Sequence, residues 1–73
     1  MPILPLASVE RLIRSANAER VSESAASALL DILEDYGVKI AKEAIIYANH
    51  AGRKTVKDED IKLAFDMLTK PRD

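Results

Sequence analysis

Nearly all the groups able to do chemistry in this 73-residue chain are charged: eleven Lys and Arg, twelve Asp and Glu, one histidine and no cysteine. A lone imidazole, His50, has no second histidine or thiolate at ligand spacing, so no metal site is expected. The run Gly52-Arg53-Lys54-Thr55 hints at a phosphate loop, but that loop needs glycine immediately before its lysine, and Arg53 stands there. With no nucleophile–base pair either, the reading is of a protein that is not an enzyme, with no cofactor, no metal and no small-molecule substrate.

What remains is the placement of charge. Formal net charge is −1, so bulk electrostatics does not announce a nucleic-acid binder. The distribution is more telling. Arg11 and Arg14 lie three residues apart, a spacing that puts both on one helix face. Arg20 follows in a short polar connection, and Arg53, Lys54 and Lys57 lie in the stretch from His50 to Lys57, which holds no acid. The acids Glu23, Asp31, Glu34 and Asp35 lie between these two basic regions, with no base among them.

The elements that must position these groups follow from periodicity. Ala26, Leu29, Leu33, Tyr36, Ile40, Ala44, Tyr47 and Ala51 recur every three or four residues, and Leu30, Ile32, Ile45 and Ile46 widen the stripe. Ser22 is a natural N-cap, Glu23 suits the positive end of the dipole, and Gly52 suits the C-terminal cap, giving a central helix over about 22–51. Before it, Leu6, Val9, Leu12, Ile13 and Ala16 predict a helix over about 5–17, opened by Pro5 and closed by Asn17, with Pro2 keeping the start extended. After it, Thr55 and Val56 suit a short extended segment. A last helix over about 57–69 then carries Asp58, Glu59 and Asp60 in its first turn, Val56 able to staple onto Ile61, and Pro71 as its stop before a frayed Arg72-Asp73. Gly37 is the one breaker inside the central run. It could split the run into two helices of a four-helix monomer, but the apolar phase continues across it.

A helix of that length is about 45 Å long, whereas a compact domain of this size has a radius of gyration of roughly 11 Å. The rest of the chain is too short to cover it. Chains of about 60 residues bury only about 60% of their unfolded surface, and no cysteine is available to staple this one. Its 48% hydrophobic content is ample for a core, so a second copy is expected to cover the long helix. No apolar stretch reaches the ~20 residues that span a bilayer, and the first residues, with Pro2 and Pro5 and no basic leader, do not read as a signal peptide. A cytoplasmic protein with no membrane partner is expected.

Short helix, long helix, short helix, joined by two loops, resembles the histone fold. The local text is similar to archaeal histones: Leu4-Pro5-Leu6-Ala7, Arg11-Leu12-Ile13-Arg14, Ala18-Glu19-Arg20-Val21-Ser22, and His50 through Lys57 followed by Glu59-Asp60-Ile61. The resemblance extends from Leu4 to about Leu68, and Gly37 falls where the family has its mid-helix glycine. It implies an all-α histone fold over 1–73, as a head-to-tail handshake dimer: a homodimer, or a heterodimer with another histone. It implies an architectural protein that wraps and compacts double-stranded DNA non-specifically in the nucleoid. Arg20 of one chain and Thr55 of the other would meet at the minor groove, and Arg11, Arg14, Lys54 and Lys57 would meet phosphates. Arg53 would either do the same or pair structurally with Asp60. Tyr47, His50, Asp60 and Leu63 match the contact that joins dimers into tetramers or longer assemblies, where a His50–Asp60 bond would favour protonated imidazole. The departures are Val38, Asp66 and Met67 where basic residues are common, Glu10 and Asn17 where small residues are usual, and Tyr47 where an aliphatic is usual. The competing reading is a histone-fold protein-interaction subunit that binds DNA weakly or not at all.

Overall fold

A computed structural model describes residues 3–70, so the readings of Pro2, Pro71, Arg72 and Asp73 lie outside the described residues. Among those described there are three helices and no strand: α1 (Leu6–Ser15), α2 (Glu23–His50) and α3 (Asp58–Thr69). This is the short–long–short order expected. The chain divides into two compact units, Met1–Tyr36 and Gly37–Asp73, and α2 contributes to each.

In the first unit, α1 starts after Pro5, whose extended backbone (φ −69°, ψ 133°) sets the entry and whose carbonyl accepts the N–H groups of Ser8 and Val9. Regular helix stops at Ser15, two residues short of the expectation. Ala16 and Asn17 form the closing turn because Asn17 adopts φ +76°, the left-handed conformation that a short polar side chain tolerates. The connection ends at Ser22, whose Oγ accepts the Ala25 N–H at 3.0 Å, satisfying one of the free donors at the start of α2. Val9, Ala26 and Leu30 form the core here, with Leu6, Ile13, Val21, Leu29 and Leu33 against it. Leu12, counted on the apolar stripe of α1, is instead 51% exposed. The segment before α1 is tied down by charge: the Ile3 and Leu4 N–H groups both donate to the Glu34 carboxylate, the second at 2.7 Å.

α2 runs through Gly37 without a break, which removes the four-helix alternative. At 28 residues it is about 42 Å long. A methyl group added at Gly37 would meet no atom of this chain within 4 Å.

In the second unit, α2 closes in a Schellman motif. The Gly52 N–H donates to the Asn49 carbonyl at 3.0 Å and the Arg53 N–H to the Ala48 carbonyl at 2.9 Å, with Gly52 at φ +72°. Thr55 does not take the extended backbone its β-branching suggests. Lys54 and Thr55 make a bend, held by the Arg53 guanidinium donating to the Thr55 carbonyl at 3.0 Å. Lys57, expected as the opening helical residue, is the N-cap of α3, its N–H accepted by Asp60 Oδ2 at 2.8 Å. α3 ends where Lys70 turns extended, and the Thr69 hydroxyl donates to the Phe65 carbonyl at 2.7 Å. The buried apolar residues of this unit are Ala44, Ala48 and Ala64.

Removing the Ser22 hydroxyl leaves the Ala25 N–H without its acceptor, so Ser22→Ala should cost about 1 kcal/mol. A urea titration followed by helical circular dichroism should show the lowered midpoint with an unchanged slope.

Candidate nucleic-acid interface

The basic residues separate by what they touch. Arg11 and Arg14 are exposed one turn apart on α1, and Arg11 makes a 3.2 Å hydrogen bond to the Ser8 hydroxyl. Arg20 is exposed in the connection between Asn17 and the Ser22 cap, so the two local backbone devices that end α1 and start α2 also present this side chain. Lys54, Thr55 and Lys57 are exposed on the bend and N-cap that join α2 to α3. Among the described residues none of Arg11, Arg14, Arg20, Lys54 or Lys57 enters a salt bridge.

Arg53 is different. Its guanidinium grips Asp60 with two hydrogen bonds of 2.9 Å, donates a third to the Thr55 carbonyl, and lies 3.8 Å from Glu59. These three hydrogen bonds engage both terminal nitrogens, leaving Nε–H and one Nη2–H of its five donors without a hydrogen bond. The hydrogen bond to Asp60 raises the Arg53 pKa. Asp60, 4% exposed, is held down to a pKa of about 2, first by the Arg53 hydrogen bonds and then by the Lys57 N–H. The pair therefore staples the loop to the first turn of α3, and the Schellman turn at Gly52 aims Arg53 at it. Of the two roles open to Arg53, the geometry gives it this structural one.

The same end of the unit carries an open hollow of about 570 Å³ lined by Tyr47, His50, Ala51, Arg53, Glu59, Asp60 and Leu63. It gathers all four residues expected at the dimer–dimer contact. The Tyr47 hydroxyl donates to Glu43 at 3.4 Å, and burial, followed by the Glu43 charge, pushes its pKa up. Glu43 was not among the expected site residues, although its place one turn before Tyr47 is the signal for it. Arg20 belongs to the first unit and Thr55 to the second, and their expected meeting involves two chains.

Residues 2–65 match the family described as histone-like transcription factors (CBF/NF-Y) and archaeal histones. The chain is 58% identical over 64 residues to one subunit of the archaeal histone HAN1 from Thermococcus zilligii, covering 88% of this chain and 96% of that one. It is 44% identical, over the same shares, to probable archaeal histone 3 of Methanocaldococcus jannaschii. The chain belongs to the archaeal histone and histone-like transcription factor family. A general role in DNA packaging follows from that membership.

The sign of the Asp60 shift sets a pH window. A carboxyl lowered from 3.8 to about 2 on folding contributes stability that is fully present above about pH 4 and lost as pH falls through 2. Asp60→Asn should therefore lower the melting temperature by several degrees at neutral pH and flatten the dependence between those limits. Circular-dichroism melts of both proteins across that range read both effects.

Proposed function

We propose that this chain forms a head-to-tail handshake homodimer that wraps and compacts double-stranded DNA without reading its sequence. The observation that carries the DNA reading is that the cations of α1 and of the two connections, Arg11, Arg14, Arg20, Lys54 and Lys57, are exposed and enter no salt bridge among the described residues. Handshake pairing would place the connection bearing Arg20 beside the partner's bend bearing Lys54 and Thr55. The arginine then enters a narrowed minor groove, where negative potential favours it, and Thr55 supports it. Lys54 and Lys57 beside it, and Arg11 and Arg14 on α1, meet phosphates. Such contacts carry no base code, so sequence preference follows the ease of bending.

The dimer rests on uncovered apolar surface. Among the described residues those with no exposed surface are Ala26, Ala44 and Ala64, while Ile32 is 63% and Phe65 47% exposed, with Leu12, Ile45, Ile46 and Ile61 in the same state. A second copy is the means of covering them. Tyr47, His50, Asp60 and Leu63 then form a face on which dimers join into tetramers or longer assemblies. No helix among the described residues is long and apolar enough to cross a membrane, and the working place of such a protein is the chromosome in the cytoplasm. A second reading, pairing with a different histone and weak DNA binding, draws on the acids of α2 and on the naming of the Thermococcus relative as one subunit of HAN1.

The test is affinity for a mixed-sequence duplex of about 60 base pairs across a salt series. Log affinity should fall linearly with log salt, by about 0.9 for each phosphate neutralised. Arg20→Ala should weaken binding while leaving the melt unchanged; equal affinity in that variant removes the minor-groove assignment, and weak, salt-independent binding by the parent chain favours the second reading.

Gly37 tests the dimer. Alanine in an open helix position normally adds about 1 kcal/mol over glycine, and nothing in this chain opposes it. If two long helices cross closely there, Gly37→Ala should instead lower the stability of the dimer, measured by urea unfolding at several protein concentrations.

A further inference from the structure

We propose that the hollow at the end of α2 and α3 takes a lysine or arginine side chain from a different histone-fold dimer in preference to a second copy of itself. The inference rests on the reading of this face as a dimer–dimer contact. It adds which partner the face fits.

The floor of the hollow is apolar and partly exposed: Leu63 is 46% exposed, and the Tyr47 ring lines it with its hydroxyl given to Glu43. The charges around that floor do not cancel. Among the described residues Arg53 is the one fixed cation lining it, and the short bidentate grip commits it to Asp60. Glu59 stands 3.8 Å from the same guanidinium with a side chain 67% exposed, so it is weakly matched. Glu43 has no salt-bridge partner among the described residues and faces the Tyr47 hydroxyl instead. One cation thus serves Asp60 and Glu59, and Glu43 adds further negative charge beside the aromatic ring.

Two identical copies meeting by a two-fold axis place the same patch against itself. The acidic patch of Glu43 and Glu59 would then meet its copy around an apolar contact that excludes water. Like charges so placed select against the wrong partner, as attraction selects for the right one. A partner dimer carrying a lysine or arginine at this face removes the repulsion, matches Glu43, and can lay its cation on the Tyr47 ring. The substitution of a tyrosine for an aliphatic, and its link to an acid one turn back, are then specificity features rather than defects of packing.

The probe is the chain itself with the charges reversed, Glu43→Lys with Glu59→Lys. Each protein alone should give dimers by native mass spectrometry at low salt, and an equimolar mixture should give tetramers containing two of each, with association at least about tenfold tighter than either alone. Raising the salt should reduce the mixed tetramer. Because the double variant removes two native carboxylates, Glu43→Gln serves as the milder check, and it should strengthen self-association of the otherwise unchanged chain. Parent dimers that self-associate as readily as they join the reversed copy overturn this inference alone, as does a mixture that stays dimeric. Monomers in every sample overturn the handshake reading beneath it as well.

Discussion

A 28-residue helix flanked by helices of 10 and 12 residues carries more apolar surface than its own chain covers. That constraint appears in what each unit buries. In the first, Val9, Ala26 and Leu30 are enclosed, and in the second the enclosed apolar residues are alanines. Alanine burial holds backbones close but removes little apolar area from water, and the stabilisation scales with that area. The leucines, isoleucines and the phenylalanine that would supply it are half exposed. Stability of this fold is therefore coupled to association, and concentration enters any measurement of it.

Against this shortage of core, local polar devices set the geometry. Asn17 ends α1, Ser22 starts α2, Gly52 ends it and Asp60 caps α3. All lie at the two connections where the free cations are displayed. The Asp60 carboxylate accepts from both arms of Arg53 and from the Lys57 N–H at once. Of its roughly four acceptor sites, one remains. The staple thus ties the loop to the first turn of α3 through one buried side chain.

The caps at Asn17, Ser22 and Gly52 were legible in the sequence because each depends on one residue type and a spacing of three or fewer. Which apolar residues become buried was less so: Leu12 and Tyr36 keep phase with Val9 and Ala26, yet periodicity cannot say which side of a stripe a neighbour covers. Thr55 misled for a related reason. Its preference for extended backbone gave way to a hydrogen bond from Arg53, two residues away in the chain. The catch of the Ile3 and Leu4 N–H groups by Glu34 had no sequence signal, since it joins groups 30 and 31 residues apart through backbone donors that any residue possesses. The Arg53–Asp60 pair came from family resemblance rather than from spacing. The Glu43–Tyr47 pair stood at a spacing that could have been read and was not.

Net charge was the poorest guide, and the structure explains why. A sum of −1 does not record where the charges lie or which of them are paired. Asp60 is spent on Arg53, Glu34 on two backbone donors, Asp58 on Lys62 at 3.8 Å, and Glu43 faces a tyrosine. Arg20, Lys54 and Lys57, at the two connections, enter no such pair among the described residues. What an approaching polyanion meets is the local unpaired set, with counterion release scaling with the contacts made rather than with the total charge. An acidic sum and a basic working surface are thus compatible in one small chain.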